Sequence, residues 1–371
     1  MYTKTFFTFS PEWDFQITVE EYEQVHTGES NAPVKKLAQS AIFQVQRSKL
    51  TACEHFQTML RGPWRESRPE SITLEGNDIN AMNILFRSLH GTLDEITLDS
   101  ISIKTIWFLV MVCDKYDVGL KTGFLKAWFV KWYDAEHKKQ KHLNNCEFER
   151  TILFPCYYFD YATGFQEATI GLVYNSEGHI SERNPTREVN LHLPPRIMQQ
   201  VNAARGRLRN ILHNGLFDHI ASVVSDARCS CKEATVFDYF RELKRLEVWP
   251  LENTMKHASI NDIITRLRGF DAEKMRPPKD NERPGYCKHC SRNWKGIVKQ
   301  VGNKVADYFD GMCLDCMSVT KCLREGRNPD HEYWMHGKNR QYDADCRIKH
   351  GEPTWWFSFM GQREKQGLLA F

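Results

Sequence analysis

The sequence contains no long hydrophobic run. Its longest uninterrupted apolar stretch, Ile106 to Cys113, is eight residues, far short of the roughly 20 that a helix needs to span a bilayer. Charge of one sign is also scarce. Lys and Arg number 50 against 47 Asp and Glu, so no global field draws the chain to nucleic acid or an acidic membrane. Fourteen prolines are too few for a largely disordered chain. The opening MYTKTFFTFSPEWDF meets Glu12 and Asp14 before any stretch apolar enough for a secretory signal. No internal repeat or low-complexity block is present. Nor is there a G-x-S-x-G elbow, a P-loop, a GxGxxG, an HExxH or a deaminase H-x-E with P-C-x-x-C. These absences lead us to expect a soluble, intracellular, non-enzymatic chain, in cytoplasm or nucleus, with no membrane partner.

What is present suits packed cores: 41% of residues are hydrophobic and 12% aromatic. A length of 371 residues suggests two or three units. Residues 15–26 read as a strand, 27–33 as a loop, and Ile42, Phe43 and Val45 as a second strand. Leu50, Cys53, Phe56 and Leu60 follow at helical spacing. A short strand over Ile72 to Leu74 precedes a helix that Asn77 or Asp78 can cap and Gly91 can stop, with Met82, Leu85, Phe86 and Leu89 inward. Leu98 to Val118 is apolar on more than one side, as in a central buried helix. A helix with Leu125, Trp128, Phe129 and Trp132 then runs into polar Lys138 to Asn145, a candidate boundary. Residues 151–175 contain a helical segment rich in aromatics that ends near Tyr174, and the stretch after it, with Gly178 and three prolines, reads as a linker. Further helical faces are Leu208, Ile211, Leu212 and Leu216; Phe237, Phe240, Leu243 and Leu246; and Ile260, Ile263, Ile264 and Leu267.

Two stretches resemble a known family. FQVQRSKLTACEHFQTMLRGPWRES, from Phe43 to Ser67, is similar to the strand-then-helix entry of BTB/POZ domains. ITLEGNDINAMNILFRSLHG with IWFLVMVCDKYDV resembles the fungal form of that domain through Asp78, Ala81, Met82, His90, Gly91 and Asp114-Lys115-Tyr116. The chain departs from the animal pattern at Gln46 and Arg47, where histidine and lysine are usual. Downstream, ILFPCYYFDYA, LVYN and GMCLDC look like the remainder of such fungal proteins. The resemblance implies a protein-interaction domain, with a homodimer or docking to a cullin-type ubiquitin ligase scaffold as its outcome.

Twelve cysteines in a chain expected to be intracellular point to metal rather than to disulfides. Cys287-x2-Cys290 and Cys313-x2-Cys316, with 22 residues between the pairs, offer four thiolates in two short turns. Each turn lets two sulfurs reach one ion at about 2.3 Å, which completes a tetrahedral zinc cage. Cys229-x-Cys231 and Cys346-x3-His350 supply four donors for a second site. Cys322, His289, His331 and His336 compete for either. Cys53, Cys113, Cys146 and Cys156 lie in apolar or helical settings and read as small buried hydrophobes. Zinc held by four protein ligands has no vacancy for water, so its role is structural.

Residues 276–304 carry Arg276, Lys279, Arg283, Lys288, Arg292, Lys295, Lys299 and Lys304 against Asp280 and Glu282. This local net of +6 can hold phosphates, and Tyr286 and Trp294 can stack on bases. The expected architecture is α+β: a BTB/POZ-type α/β domain over 1–140, a helical extension and linker over 141–200, and a mostly helical region over 201–371 carrying the zinc-binding segment. The expected function is a protein-interaction adaptor. The alternative is a nucleic-acid-associated regulator that uses the basic segment.

Overall fold

A computed structural model describes residues 4–25, 34–61, 70–121, 123–140, 146–186, 188–275, 287, 289–290, 292–317, 334–335 and 346–353. Three strands open the chain: β1 (Lys4–Thr8), β2 (Phe15–Val25) and β3 (Val34–Val45). Two short helices, α1 (Arg47–Leu50) and α2 (Glu54–Arg61), lead to β4 (Ser71–Glu75). The sheet order is β1-β3-β2-β4. β2 and β3 form an antiparallel hairpin, while β1 joins β3 and β4 joins β2 in parallel. β1 has no counterpart in the sequence reading, because a parallel edge strand is defined by a distant partner. Phe7 there stacks on Phe43 at 4.9 Å.

Side chains alternate across a strand, so every second residue faces one side. Phe15, Ile17 and Val19 on β2 lie opposite Val45, Phe43 and Ala41 on β3, and all six are fully buried. α3 (Ile79–His90) and α4 (Ile103–Lys115) follow. Asp78 caps α3 by accepting from the Ala81 amide at 2.7 Å, and Gly91 ends it at φ 75°. Asn77, the other candidate cap, is buried instead, its Oδ1 accepting from Lys115 Nζ at 2.9 Å and Tyr116 O–H at 3.3 Å. α4 is the central helix that its apolar content predicted: Ile106, Trp107, Leu109, Val110, Val112 and Cys113 have no exposed surface.

α5 (Gly123–Gln140), α6 (Glu147–Tyr158) and α7 (Ala162–Asn175) come next. The helical content expected within 151–175 is divided between two helices at Asp160, whose φ of 53° turns the chain between α6 and α7. Trp107 of α4 stacks on Phe154 of α6 at 4.0 Å and donates Nε1–H to the Thr151 carbonyl at 2.8 Å. The stretch after α7, read as a linker, lies against the helices: Ile180, Leu191 and Leu193 are buried. The Ile180 amide donates to Asn202 Oδ1 at 3.0 Å.

The remaining helices are α8 (Pro195–Asp226), α9 (Lys232–Arg245), α10 (Leu251–His257), α11 (Ile260–Arg268), α12 (Trp294–Ala306) and α13 (Leu314–Met317). A two-residue ladder joins β5 (Trp334–Met335) to β6 (Glu352–Pro353). α12 packs against α8 and α11. The fit over α8 is close: a Cβ at Gly215 would stand 2.5 Å from Val301 Cγ2. Of the apolar face expected for α9, Leu243 and Leu246 are buried and Phe240 packs against the core, but Phe237 does not turn inward. Phe237 is 60% exposed, whereas Tyr239, Asp238 and Glu242 are buried. Arg241 and Arg245 neutralise the two carboxylates at 2.9 and 2.5 Å, which satisfies buried charge. No described helix is long and apolar enough to cross a membrane.

Candidate metal centre

Two clusters of cysteine and histidine form among the described residues, and neither has the grouping read from sequence spacing. Cys287 and Cys290 meet Cys229 and Cys231; Cys313 and Cys316 meet Cys346 and His350. Within each cluster the donor atoms all lie within 4.8 Å of one another. The set Cys287, Cys290, Cys313 and Cys316 is therefore corrected, and so is its complement. The physical reason is α12. Thirteen helical residues at 1.5 Å each make a rod of about 20 Å between the two C-x2-C turns, and a rod cannot close one cage.

The first cluster is assembled by helix starts. Cys229 and Cys231 lie in the turn after α8, with Cys231 as the N-terminal cap residue of α9. Cys287 and Cys290 precede α12, whose first turn is capped by Asn293 Oδ1 accepting from the Gly296 amide at 2.9 Å. Tyr239 of α9 packs on Trp294 of α12 at 4.8 Å between ring centroids, which brings the two starts together. Cys231 Sγ then stands 3.3 Å from Cys290 Sγ across 59 positions. Thr235 Oγ1 donates to the Cys231 carbonyl at 3.1 Å and lies 3.3 Å from Cys290 Sγ. The backbone amides of Cys290 and His289 point at Cys287 and pull its thiol down to about 6. Burial pushes Cys290 the other way.

In the second cluster, Cys316 Sγ is 3.8 Å from Cys346 Sγ and 3.6 Å from His350 Nε2. His350 is only 2% exposed, and its Nδ1 donates to the Gly351 carbonyl at 2.6 Å. That bond fixes the tautomer and leaves the Nε2 lone pair aimed at the sulfurs, the usual outer support of a ligating histidine. A hydrogen bond from the Cys316 thiol pulls the Cys313 thiol down, against burial. The segment is docked on α7. Gln166 Nε2 donates to the Asp310 carbonyl at 2.6 Å. Gly311, at φ 85°, passes so close that a Cβ would stand 2.8 Å from the Gln166 carbonyl oxygen.

The donor sets fit a zinc-sized thiophilic cation. Sulfurs bonded at about 2.3 Å in a tetrahedron sit about 3.8 Å apart; the Cys316–Cys346 separation of 3.8 Å matches that value and the Cys231–Cys290 separation of 3.3 Å lies somewhat below it. Such distances are too long for disulfides, and the described cysteines are free.

The remaining cysteines and candidates separate cleanly. Cys53, Cys113, Cys146 and Cys156 are buried away from both clusters. His289 is exposed and belongs to neither. Cys322, His331 and His336 lie outside the described residues, as do Arg276, Lys279, Arg283, Lys288, Asp280, Glu282 and Tyr286. Lys295, Lys299 and Lys304 are exposed and Arg292 half-buried. Trp294, read as a base-stacking residue, is 5% exposed and used up in packing on Tyr239. Thr235, Asp160 and Arg347 were not legible as supporting residues, since nothing local marks them.

No family model, no curated protein and no solved structure matches the chain. The fold and the site define a mixed α+β protein with two Cys/His clusters compatible with metal.

Proposed function

We propose that this chain is a non-enzymatic protein-interaction adaptor: a BTB/POZ-type N-terminal unit self-associates or recruits a protein partner, and two structural zinc ions organise the helical C-terminal region. The observation that carries the interaction reading is the order of elements. A β2–β3 hairpin runs into the short helices α1 and α2, with β4, α3 and α4 after them, which supports the strand-then-helix entry that the BTB-like motifs imply. The Cys53 thiol donates to the Tyr116 carbonyl at 3.0 Å, which joins the two stretches that carry the resemblance, and Asn77 meets Lys115 and Tyr116 within the second.

Each cluster offers four protein donors. A four-ligand cage has no open position for a water nucleophile, which supports a structural rather than a catalytic ion. Elemental analysis of full-length chain purified in reductant is expected to give two zinc ions per chain. A metal-free, fully folded preparation would overturn that part of the reading.

The interaction part is tested by light scattering on the full-length chain at micromolar concentration and by direct titration with a purified cullin-type scaffold. A strict monomer with no affinity for the scaffold, combined with salt-sensitive duplex binding abolished in an Arg292→Glu, Lys295→Glu, Lys299→Glu variant, would favour the nucleic-acid reading. The burial of Trp294 counts against that alternative.

A further inference from the structure

We infer that the centre formed by Cys229, Cys231, Cys287 and Cys290 is a redox-labile zinc centre, opened by a hydroperoxide through a Cys231–Cys290 disulfide, while the centre with His350 persists. This inference rests on the zinc reading above. Three differences between the clusters carry it.

The first is access. Cys229, Cys231 and Cys287 are half-buried and only Cys290 is buried, whereas Cys313, Cys316 and His350 are all buried and only Cys346 is half-buried. The second is charge. Four thiolates around a divalent ion leave a net charge of about −2, three thiolates and a neutral imidazole about −1. The sulfurs of the first centre are therefore the stronger nucleophiles toward an electrophilic oxygen, since the thiolate is the reactive form. The third is geometry. The half-buried Cys231 Sγ has Cys290 Sγ at 3.3 Å, a resolving thiol that peroxide cannot easily reach by itself because it is 1% exposed.

The step balances. Cys231 thiolate attacks the peroxide O–O bond and becomes a sulfenic acid, and the leaving alkoxide or hydroxide takes one proton. Cys290 thiolate then attacks the Cys231 sulfur and expels hydroxide, which takes a second proton as water. Two thiolates, one hydroperoxide and two protons give one disulfide, one alcohol or water, and one water. The two sulfurs together lose two electrons and the peroxide gains them. Zinc keeps only Cys229 and Cys287 and dissociates. The new disulfide keeps the start of α9 tied to the start of α12, so the helices stay together after the ion leaves.

The test uses the full-length chain purified in reductant, with its zinc counted first. Reductant is then removed, limiting hydrogen peroxide is added, released zinc is read with a chromophoric chelator, and disulfides are mapped by peptide mass spectrometry. One zinc per chain is expected to leave about tenfold faster than the other or more, together with a Cys231–Cys290 peptide pair, and reductant with added zinc is expected to reverse both changes. Two zinc ions that leave together, two that both survive, or a first disulfide among Cys313, Cys316 and Cys346 would each overturn the inference alone. Protein that holds no zinc before oxidation overturns the zinc reading and this inference with it.

Discussion

Arg347 grips Asp160 across 187 positions, with Nη1 2.6 Å from Oδ2 and Nη2 3.0 Å from Oδ1. The same guanidinium also reaches Asp315 Oδ1 at 2.7 Å. One planar cation thus ties the C-terminal segment to the α6–α7 turn and to α13, beside the His350 cluster. Arg347→Ala is expected to lower stability by about 1–2 kcal/mol, a figure reduced for the 39% exposure of the side chain. Arg347→Lys should not restore it, because a point charge cannot make both paired contacts. Thermal melts of the three proteins check this, and an unchanged midpoint for Arg347→Ala would remove the clamp.

Phe86 sits where sheet and helices meet. It has no exposed surface, and its ring lies 5.2 Å from that of Phe43, 6.2 Å from Phe9 and 6.0 Å from Phe56. Phe86→Ala is expected to cost about 3–5 kcal/mol. Phe86→Asp, which buries an unpaired carboxylate, should unfold this region. Urea midpoints decide the matter. A Phe86→Asp protein with a wild-type midpoint would mean that this core is misassigned.

His90 makes the N-terminal region acid-sensitive. Its Nδ1 lies 2.7 Å from the Phe86 carbonyl and must donate, so Nε2 accepts the Gln46 amide at 2.9 Å, and only the neutral ring can do both. Burial lowers its pKa, with a further push from Lys49. A folded pKa below the unfolded one means that this stabilisation is complete above the unfolded value of about 6.5 and is lost as pH falls through the depressed folded value. Melting temperatures measured on the acid side should fall, and His90→Ala should flatten that fall. The variant should also cost about 1–3 kcal/mol near neutrality by leaving the Gln46 amide unpaired.

Glu182 acts in the opposite direction. Burial raises its pKa to about 7, although both carboxylate oxygens accept from the Leu193 amide at 3.1–3.2 Å. A carboxyl with a raised folded pKa contributes stability that is complete below its unfolded value and is lost as pH rises through about 7. Glu182→Gln keeps an acceptor for Leu193 and is expected to gain at most about 3 kcal/mol on the alkaline side. Denaturation free energies measured across pH should lose their downward slope in this variant.

Much of the fold was legible because its causes are local. Asp78 and Gly91 bound α3 through one cap hydrogen bond and one positive φ. Ser259 and Asp262 close a capping box at α11, and Ile260, Ile263, Ile264 and Leu267 bury as their spacing requires. On α9 only Phe237 was misplaced, because aromatic spacing outweighed the prospect of buried carboxylates. Asp238 and Glu242 turn inward only because Arg241 and Arg245, three residues on, neutralise them. The stretch over 176–194 looked like a linker from its prolines, but the Leu191 and Leu193 side chains find apolar partners on helices that sequence distance conceals.

By itself the sequence determined which side chains carry the chemistry, since C-x2-C, C-x-C and C-x3-H place paired donors within one turn whatever surrounds them. It also determined the alternation that buries Ile17 against Phe43. Only the tertiary structure decided which donors share a cluster. A flexible 22-residue loop would have let Cys290 reach Cys313, but residues 294–306 are the rod α12, pinned to α8 at Gly215 and to α9 through Trp294 and Tyr239. Those contacts hold the two turns at opposite ends of a rigid helix, and each turn meets the partner that long-range packing places beside it.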